Sequence, residues 1–267
     1  MMKISNFHTH TVYCDGTATA EEMILSAIDK NMSAIGFSGH AYTPFDDSFC
    51  MSKESAKEYK EEITRLKEKY SGKINVYLGL EMDYFSEDDG KDLDFIIGSV
   101  HYVFKNGEYY SVDESEKVFK ENIKKGWDGD FYAFCEDYYA LVSDVKRKTG
   151  ADIIGHFDLV TKFNEGEKLF SEKSPRYVKA WKSALDSLLK ENCVFEINTG
   201  AMARGYRSSP YPSIDILKKI KDVGGKAIFS SDAHDSKNLD FGCDLAEAYA
   251  KEAGFLCLYD FNIKKNR

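Results

Sequence analysis

The chain has 267 residues, with 36 Lys+Arg against 45 Asp+Glu and a formal net charge of −9. Its 43% hydrophobic and 30% charged residues describe a globular chain with a sizeable core and exclude a disordered or fibrous one. The acidic balance gives no broad basic footprint for nucleic acid, no stretch approaches the roughly 20 apolar residues that span a bilayer, and Met1 to Phe7 lacks the apolar core of a signal peptide; a cytoplasmic protein without nucleic-acid or membrane partners is expected.

In chain order, short apolar runs recur at Ile4 to Phe7, Ala34 to Phe37, Asn75 to Leu80, Phe95 to Gly98, Asp152 to Gly155, Val194 to Ile197 and Lys226 to Phe229, and read as parallel strands. Helical patterns lie between them. Thr19-Ala-Glu-Glu22 and Ser55-Ala-Lys-Glu58 have the form of capping boxes, and Ser174-Pro175 reads as an N-cap and first-turn proline, for a helix running to about Asn192. Tyr59 to Tyr70, Glu114 to Lys125, Phe131 to Lys148 and Ser213 to Val223 show further helical spacing, with stops at Gly72, Gly126, Gly150 and Gly224-Gly225. The tyrosine-rich interruption from Val103 to Thr149 is read as two helices whose first part covers the mouth of the fold. Ala246 to Phe261 reads as a helix and a short apolar run that would add an eighth strand. Repeated βα units at this length predict an α/β fold closed into a barrel, and the absence of a Gly-x-Gly-x-x-Gly fingerprint argues against a dinucleotide-binding sheet.

The six cysteines, Cys14, Cys50, Cys135, Cys193, Cys243 and Cys257, are well separated and read as reduced thiols, with Cys14 a packing residue rather than a nucleophile. The six histidines are different. His8 and His10 follow the first strand, His40 the second, His101 the fourth, His156 the fifth and His234 the seventh. A single histidine after a strand is commonplace, but in a closed parallel barrel all those strand ends converge on one mouth, where active sites of this architecture lie. Glu81 ends the third strand, Asp15 lies in the first loop and Asp232 follows the seventh strand. Imidazole and carboxylate donors without thiolates suit Zn, Mn or Fe, and nine such candidates exceed what one ion uses, so two or three ions are expected. In clusters of this type the metals generate a hydroxide near neutral pH and stabilise in-line displacement at phosphorus or carbonyl carbon.

The ordered motifs His8-Thr-His10-Thr, Cys14-Asp15-Gly16, Ser38-Gly-His40, Gly79-Leu-Glu81, Gly98-Ser-Val-His101, Gly155-His156 and Ser231-Asp-Ala-His234 resemble the PHP (polymerase and histidinol phosphatase) superfamily over residues 4 to about 235. Within it the chain is most similar to stand-alone histidinol-phosphate phosphatases, through Gly155-His-Phe-Asp-Leu-Val-Thr-Lys-Phe163, Glu196-Ile-Asn-Thr-Gly200, Arg204-Gly-Tyr-Arg207 and Pro210-Tyr-Pro-Ser213. The resemblance implies a distorted TIM-like (β/α)₇ barrel forming one PHP domain over residues 1 to 267. It implies a first ion held by His8, His10, Glu81 and Asp232, a second by Glu81, His101 and His156, and a third by Asp15, His40 and His234.

By the same resemblance Glu81, Asp232 and His234 are the catalytic set, working with a hydroxide bridging the ions, and Arg204, Arg207 and Lys162 bind the phosphate. Where relatives carry arginine, this chain has Thr161 and Lys162. Tyr42, Phe104 and Asp158 are placed by location beside the organic part of the substrate. The implied activity is that of a phosphoric monoester hydrolase, releasing L-histidinol and inorganic phosphate from L-histidinol phosphate in histidine biosynthesis. Two alternatives stand beside it: the same centre acting on nucleotides or other small phosphate esters, and a non-catalytic metal-binding module.

Overall fold

The computed structural model describes residues 4–191, 193–259 and 261. Its strands are β1 (Ser5–Asn6), β2 (Ala34–Phe37), β3 (Asn75–Asp83), β4 (Phe95–Ser99), β5 (Tyr102–Lys105), β6 (Glu108–Ser111), β7 (Ile153–Ile154), β8 (Val194–Asn198) and β9 (Lys226–Ser230). Seven of them pair in parallel in the order β1-β2-β3-β4-β7-β8-β9. A parallel bridge between Thr9 and Ala233, with His10 N–H donating to the Ala233 carbonyl at 2.8 Å, spans the seam between β1 and β9 and nearly closes the sheet into a TIM-like barrel.

Side-chain alternation along the strands explains where the site lies. Phe95, Ile97, Ile153, Val194 and Ile228 turn into the barrel with Phe7 and fill its lower interior, Phe7 meeting Phe95 edge to face at 5.5 Å. The same inward rows continue upward as polar side chains: Ser99 follows Ile97 on β4, and Glu196 and Asn198 follow Val194 on β8. The interior is therefore apolar at the N-terminal end of the strands and polar at the C-terminal end. Outward residues such as Ile96, Phe195, Ile197 and Ala227 pack under the helices.

The helices are α1 (Ala20–Asp29), α2 (Lys53–Lys69), α3 (Glu116–Trp127), α4 (Phe131–Val142), α5 (Val145–Thr149), α6 (Pro175–Leu189), α7 (Gly200–Ala203), α8 (Ile214–Asp222) and α9 (Cys243–Glu252). Thr19 and Glu22 form the expected capping box at the start of α1. At α2 the expected box is displaced: Ser52 is the N-cap and accepts from Ser55 N–H, while the Ser55 hydroxyl donates to the Tyr13 carbonyl at 2.9 Å. Proline opens α6 as expected, but the helix ends at Leu189, short of Asn192.

The segment from 103 to 149 differs from its two-helix reading. It begins with the antiparallel β5–β6 hairpin, turning at Asn106 and Gly107, which both take positive φ (52° and 85°). Asn-Gly between alternating residues is the signal of a tight hairpin turn. Gly126 lies within α3, which is stopped by the left-handed Asp128. The single helix expected from Phe131 to Lys148 breaks between Val142 and Val145, where Asp144 accepts from the Tyr84 hydroxyl and from Arg147. The expected eighth strand does not form among the described residues: Tyr259 N–H reaches the Ala227 carbonyl at 2.8 Å, but no strand follows α9. No helix among the described residues is long and apolar enough to cross a membrane.

Candidate metal centre

The strand ends bring nine donors into one space. Glu81, within β3, is the hub. Its Oε2 lies 3.1 Å from His8 Nε2, 3.5 Å from His10 Nε2 and 3.1 Å from His40 Nδ1, and its Oε1 lies 3.0 Å from His156 Nε2 and 3.5 Å from His101 Nε2. Asp232 Oδ1 lies 3.4 Å from His10 Nε2 and 3.8 Å from His8 Nε2. Asp15 Oδ2 lies 3.1 Å from His234 Nε2 and 3.8 Å from His40 Nε2.

Four groups of donors lie close enough to hold an ion: His10, Asp15, His40 and His234; His8, Glu81 and His156; His8, His10 and Asp232; and His40, Glu81 and His101. All nine expected ligands fall in at least one group. Their partition differs from the expected three sets, because His8 also falls with His156, and His40 also with Glu81 and His101.

This donor set fits metal ions on three counts. Donors about 2.0–2.2 Å from a shared ion lie about 3.0–3.5 Å apart, the spacing found around Glu81. The buried ring nitrogen His10 Nε2, which faces Glu81 and Asp232, has no hydrogen-bond partner, a costly state for a polar atom in an interior. And the acids are held ionised: although burial opposes it, His8, His40 and His101 keep the Glu81 carboxyl well below the usual carboxylate range, and Arg204, His8 and His10 do the same for Asp232. Burial pushes His40 down to about 3 despite Glu81, whereas at His101 the Glu81 and Asp83 charges outweigh burial and lift the imidazole to about 9. A buried, ionised cluster in which some imidazoles are protonated only to balance carboxylates is one that cations can take over.

Several residues hold these donors without having been expected in the site. Ser99 donates to Glu81 Oε1 at 2.6 Å. Asp83 accepts from His101 N–H at 2.6 Å; its position two residues after Glu81 on a strand, hence on the same face, was the available signal. Glu196 bonds His8 Nδ1 at 2.7 Å. Asp232 itself has a positive φ of 50°, the kind of backbone outlier that surrounding structure must hold in place. The opening residue of α7 makes room for it: a Cβ on Gly200 would stand 2.7 Å from Asp232 Cβ.

Above the donors opens a cavity of about 360 Å³, lined by Asp15, His40, Phe49, Glu81, His101, Tyr102, Asp113, Glu114, His156, Lys162, Arg204, Asp232 and His234 among others. Two of the three expected cations face it. Arg204 donates to the Asp232 carbonyl at 3.2 Å and to Asp232 Oδ2 at 3.1 Å. Lys162 donates to the Asp113 carbonyl and carboxylate at 2.9 and 3.0 Å, and with this partner Asp113 stays ionised down to about 2 in spite of burial. Arg207 is not among the lining residues: its guanidinium is bound to Thr161 and Ser209 and stacks on Tyr211, 4.7 Å from the ring centre.

The residues placed beside the organic part of the substrate also move. Tyr42 lines a separate surface depression, Phe104 stands exposed on the hairpin, and Asp158 is buried, accepting from Ser213 N–H at 2.9 Å. Phe49, Tyr102, Asp113 and Glu114 occupy the cavity wall instead, the last three on or just after the hairpin. The six cysteines are free thiols, and burial followed by the charge of Asp15 pushes the Cys14 thiol up to about 11, which keeps it protonated and unreactive.

Known proteins resemble this chain in sequence and in fold. The PHP domain family matches residues 6–200. The histidinol-phosphatase of Bacillus subtilis (strain 168) is 29% identical over 259 residues, covering 88% of this chain and 94% of its own, and that of Lactococcus lactis is 26% identical, covering 100% and 98%. The crystal structure of the Lactococcus lactis histidinol phosphate phosphatase, complexed with zinc, L-histidinol and phosphate, superposes with a TM-score of 0.71 at 23% identity, covering 96% of this chain and 95% of that one, and shares the fold. With its match running from β1 to the first residue of α7, the chain belongs to the PHP domain family.

Proposed function

We propose that this protein is a metal-dependent phosphatase that hydrolyses L-histidinol phosphate to L-histidinol and inorganic phosphate, a step of histidine biosynthesis in the cytoplasm. The observation that carries the reading is the ring of nine His, Asp and Glu donors around Glu81 at the floor of a cavity with two cations on its wall; relatives of nearly the same length bearing the name histidinol-phosphatase give the substrate. His8, His10, Asp15, His40, Glu81, His101, His156, Asp232 and His234 would hold two or three ions, drawn from Zn, Mn and Fe. When bound, such ions supply Lewis acidity toward phosphoryl oxygens and a water that ionises near neutral pH.

The chain's own groups do the rest. Glu81, Asp232 and His234 form the reacting wall and orient phosphate and water over the floor of the cavity. Arg204, anchored on Asp232, presents guanidinium N–H groups to the phosphate, and Lys162 adds a second positive charge. Arg207 supports this wall from behind, by holding Thr161 next to Lys162. The family match ends at residue 200, yet β9, after which Asp232 and His234 lie, completes the same sheet, so residues 1–267 are read as one catalytic domain.

Chelator-stripped protein should release no phosphate from L-histidinol phosphate, and Zn, Mn or Fe should restore the release. Full activity in the stripped protein would overturn the reading. A ring of this kind that binds ions but hydrolyses no phosphate ester would mark a metal-binding module.

A further inference from the structure

His8 carries a buried carboxylate on the side of its ring away from Glu81. Its Nδ1 lies 2.7 Å from Glu196 Oε1, both side chains wholly buried, while its Nε2 faces Glu81 Oε2 at 3.1 Å. An ionised carboxylate can only accept, so the proton of this contact belongs to His8 Nδ1, and the lone pair of a neutral ring then sits on Nε2, aimed into the donor cluster. The second oxygen of Glu196 is also committed. Oε2 accepts from the His156 backbone N–H at 3.1 Å and from Asn198 Nδ2 at 3.1 Å. Asn198 in turn reaches Asp232 Oδ2 at 3.4 Å and accepts from Gly200 N–H at 2.9 Å. Glu196 and Asn198 stand two residues apart on β8, on its inward face, directly below the cluster.

We propose that Glu196 is a positioning residue of the metal centre: it fixes His8 as the Nδ1–H tautomer with Nε2 presented to the ion, and through its other oxygen it sets the backbone that carries His156. Two ligands, His8 just after β1 and His156 just after β7, are thereby locked to a single carboxylate on β8. The proposal rests on the metal-centre reading above. It extends that reading by naming a residue that touches no ion and no substrate, yet decides the geometry of the group formed by His8, Glu81 and His156. Partners of this kind on a ligating imidazole change metal affinity by about 10- to 100-fold when removed.

The decisive experiment has two readouts, neither of which is turnover. Zinc affinity is measured by chelator competition for the wild type and for Glu196→Gln, and the protonated nitrogen of His8 is identified by ¹⁵N NMR of the zinc-loaded wild type. The expected results are a loss of about 10- to 100-fold in affinity for one ion in Glu196→Gln, with the melting temperature of the metal-free chain nearly unchanged, and a proton on Nδ1 of His8. Zinc binding at wild-type affinity in Glu196→Gln would overturn the proposal. So would an Nε2–H tautomer in the wild type, a result that stands even where the variant fails to fold. A wild-type chain whose zinc affinity depends on Glu196 but which hydrolyses a different ester supports this inference while refuting the substrate assignment.

Discussion

Ser99 on β4 donates its hydroxyl to Glu81 on β3 at 2.6 Å, so the carboxylate shared by two of the four donor groups is aimed by a neighbour that offers no ligand itself. The contact also explains Gly155, where a Cβ would stand 2.3 Å from Ser99 Oγ and push it off Glu81. Glu81→Ala should abolish activity and lower the metal content measured by atomic spectroscopy. Ser99→Ala should keep the ions but lower kcat by about 10-fold or more, as expected for a partner that orients a ligand. Wild-type metal content in Glu81→Ala would remove the carboxylate from the centre.

The two arginines should separate cleanly. Arg204 faces the cavity with its guanidinium on Asp232, so Arg204→Ala should lower kcat/KM by about 100-fold, the scale for losing one charged donor to a transition state. Arg207 is tied to Thr161 and Tyr211 behind the wall. Arg207→Ala should lower the melting temperature and leave KM within a few-fold of wild type. A reversal of the two effects would show that Arg207 turns into the cavity when phosphate binds.

Gly200→Ala tests the backbone of the site. The added methyl meets Asp232 Cβ at 2.7 Å and Asp232 Oδ2 at 2.8 Å. Overpacking of this kind costs about 1–3 kcal/mol, and here it falls on a metal ligand already held at positive φ. Activity and zinc affinity should both drop; a variant with wild-type values of both would mean that Asp232 is not held where the geometry puts it.

Much of this site was legible in the sequence because a parallel barrel converts residues after strands into neighbours. His8, His40, Glu81, His101, His156 and Asp232 needed only the strand ends to be found. Asn106-Gly107 was a readable hairpin signal, and missing it hid Tyr102, Asp113 and Glu114 on the cavity wall. Other features were not legible. The sharing of His8 between donor groups and the orientation of Arg207 away from the cavity are set by which nitrogen and which rotamer packing selects, and no spacing rule reports those. The break at Asp144 depends on Tyr84, sixty residues away, whose hydroxyl donates to it.

Metal-free and metal-loaded protein should respond to pH in opposite ways. In the metal-free chain His101, held against burial by Glu81 and Asp83, has its pKa lifted to about 9. A group raised in the folded state stabilises fully below its unfolded value, about 6.5, and that contribution is lost as pH rises through 9. Ions require neutral imidazole, so their affinity grows over the same range. Thermal denaturation at a series of pH values should therefore show a zinc-induced rise in melting temperature that is small near pH 6 and grows toward pH 9. A zinc effect that shrinks with rising pH would contradict the assignment of His101 as a ligand.

The central claim is the substrate, and steady-state kinetics on the zinc-, manganese- or iron-loaded protein test it most directly. With L-histidinol phosphate, nucleoside monophosphates and p-nitrophenyl phosphate compared side by side, kcat/KM should favour L-histidinol phosphate by orders of magnitude. Equal values for all three, or a preference for a nucleotide, would contradict it.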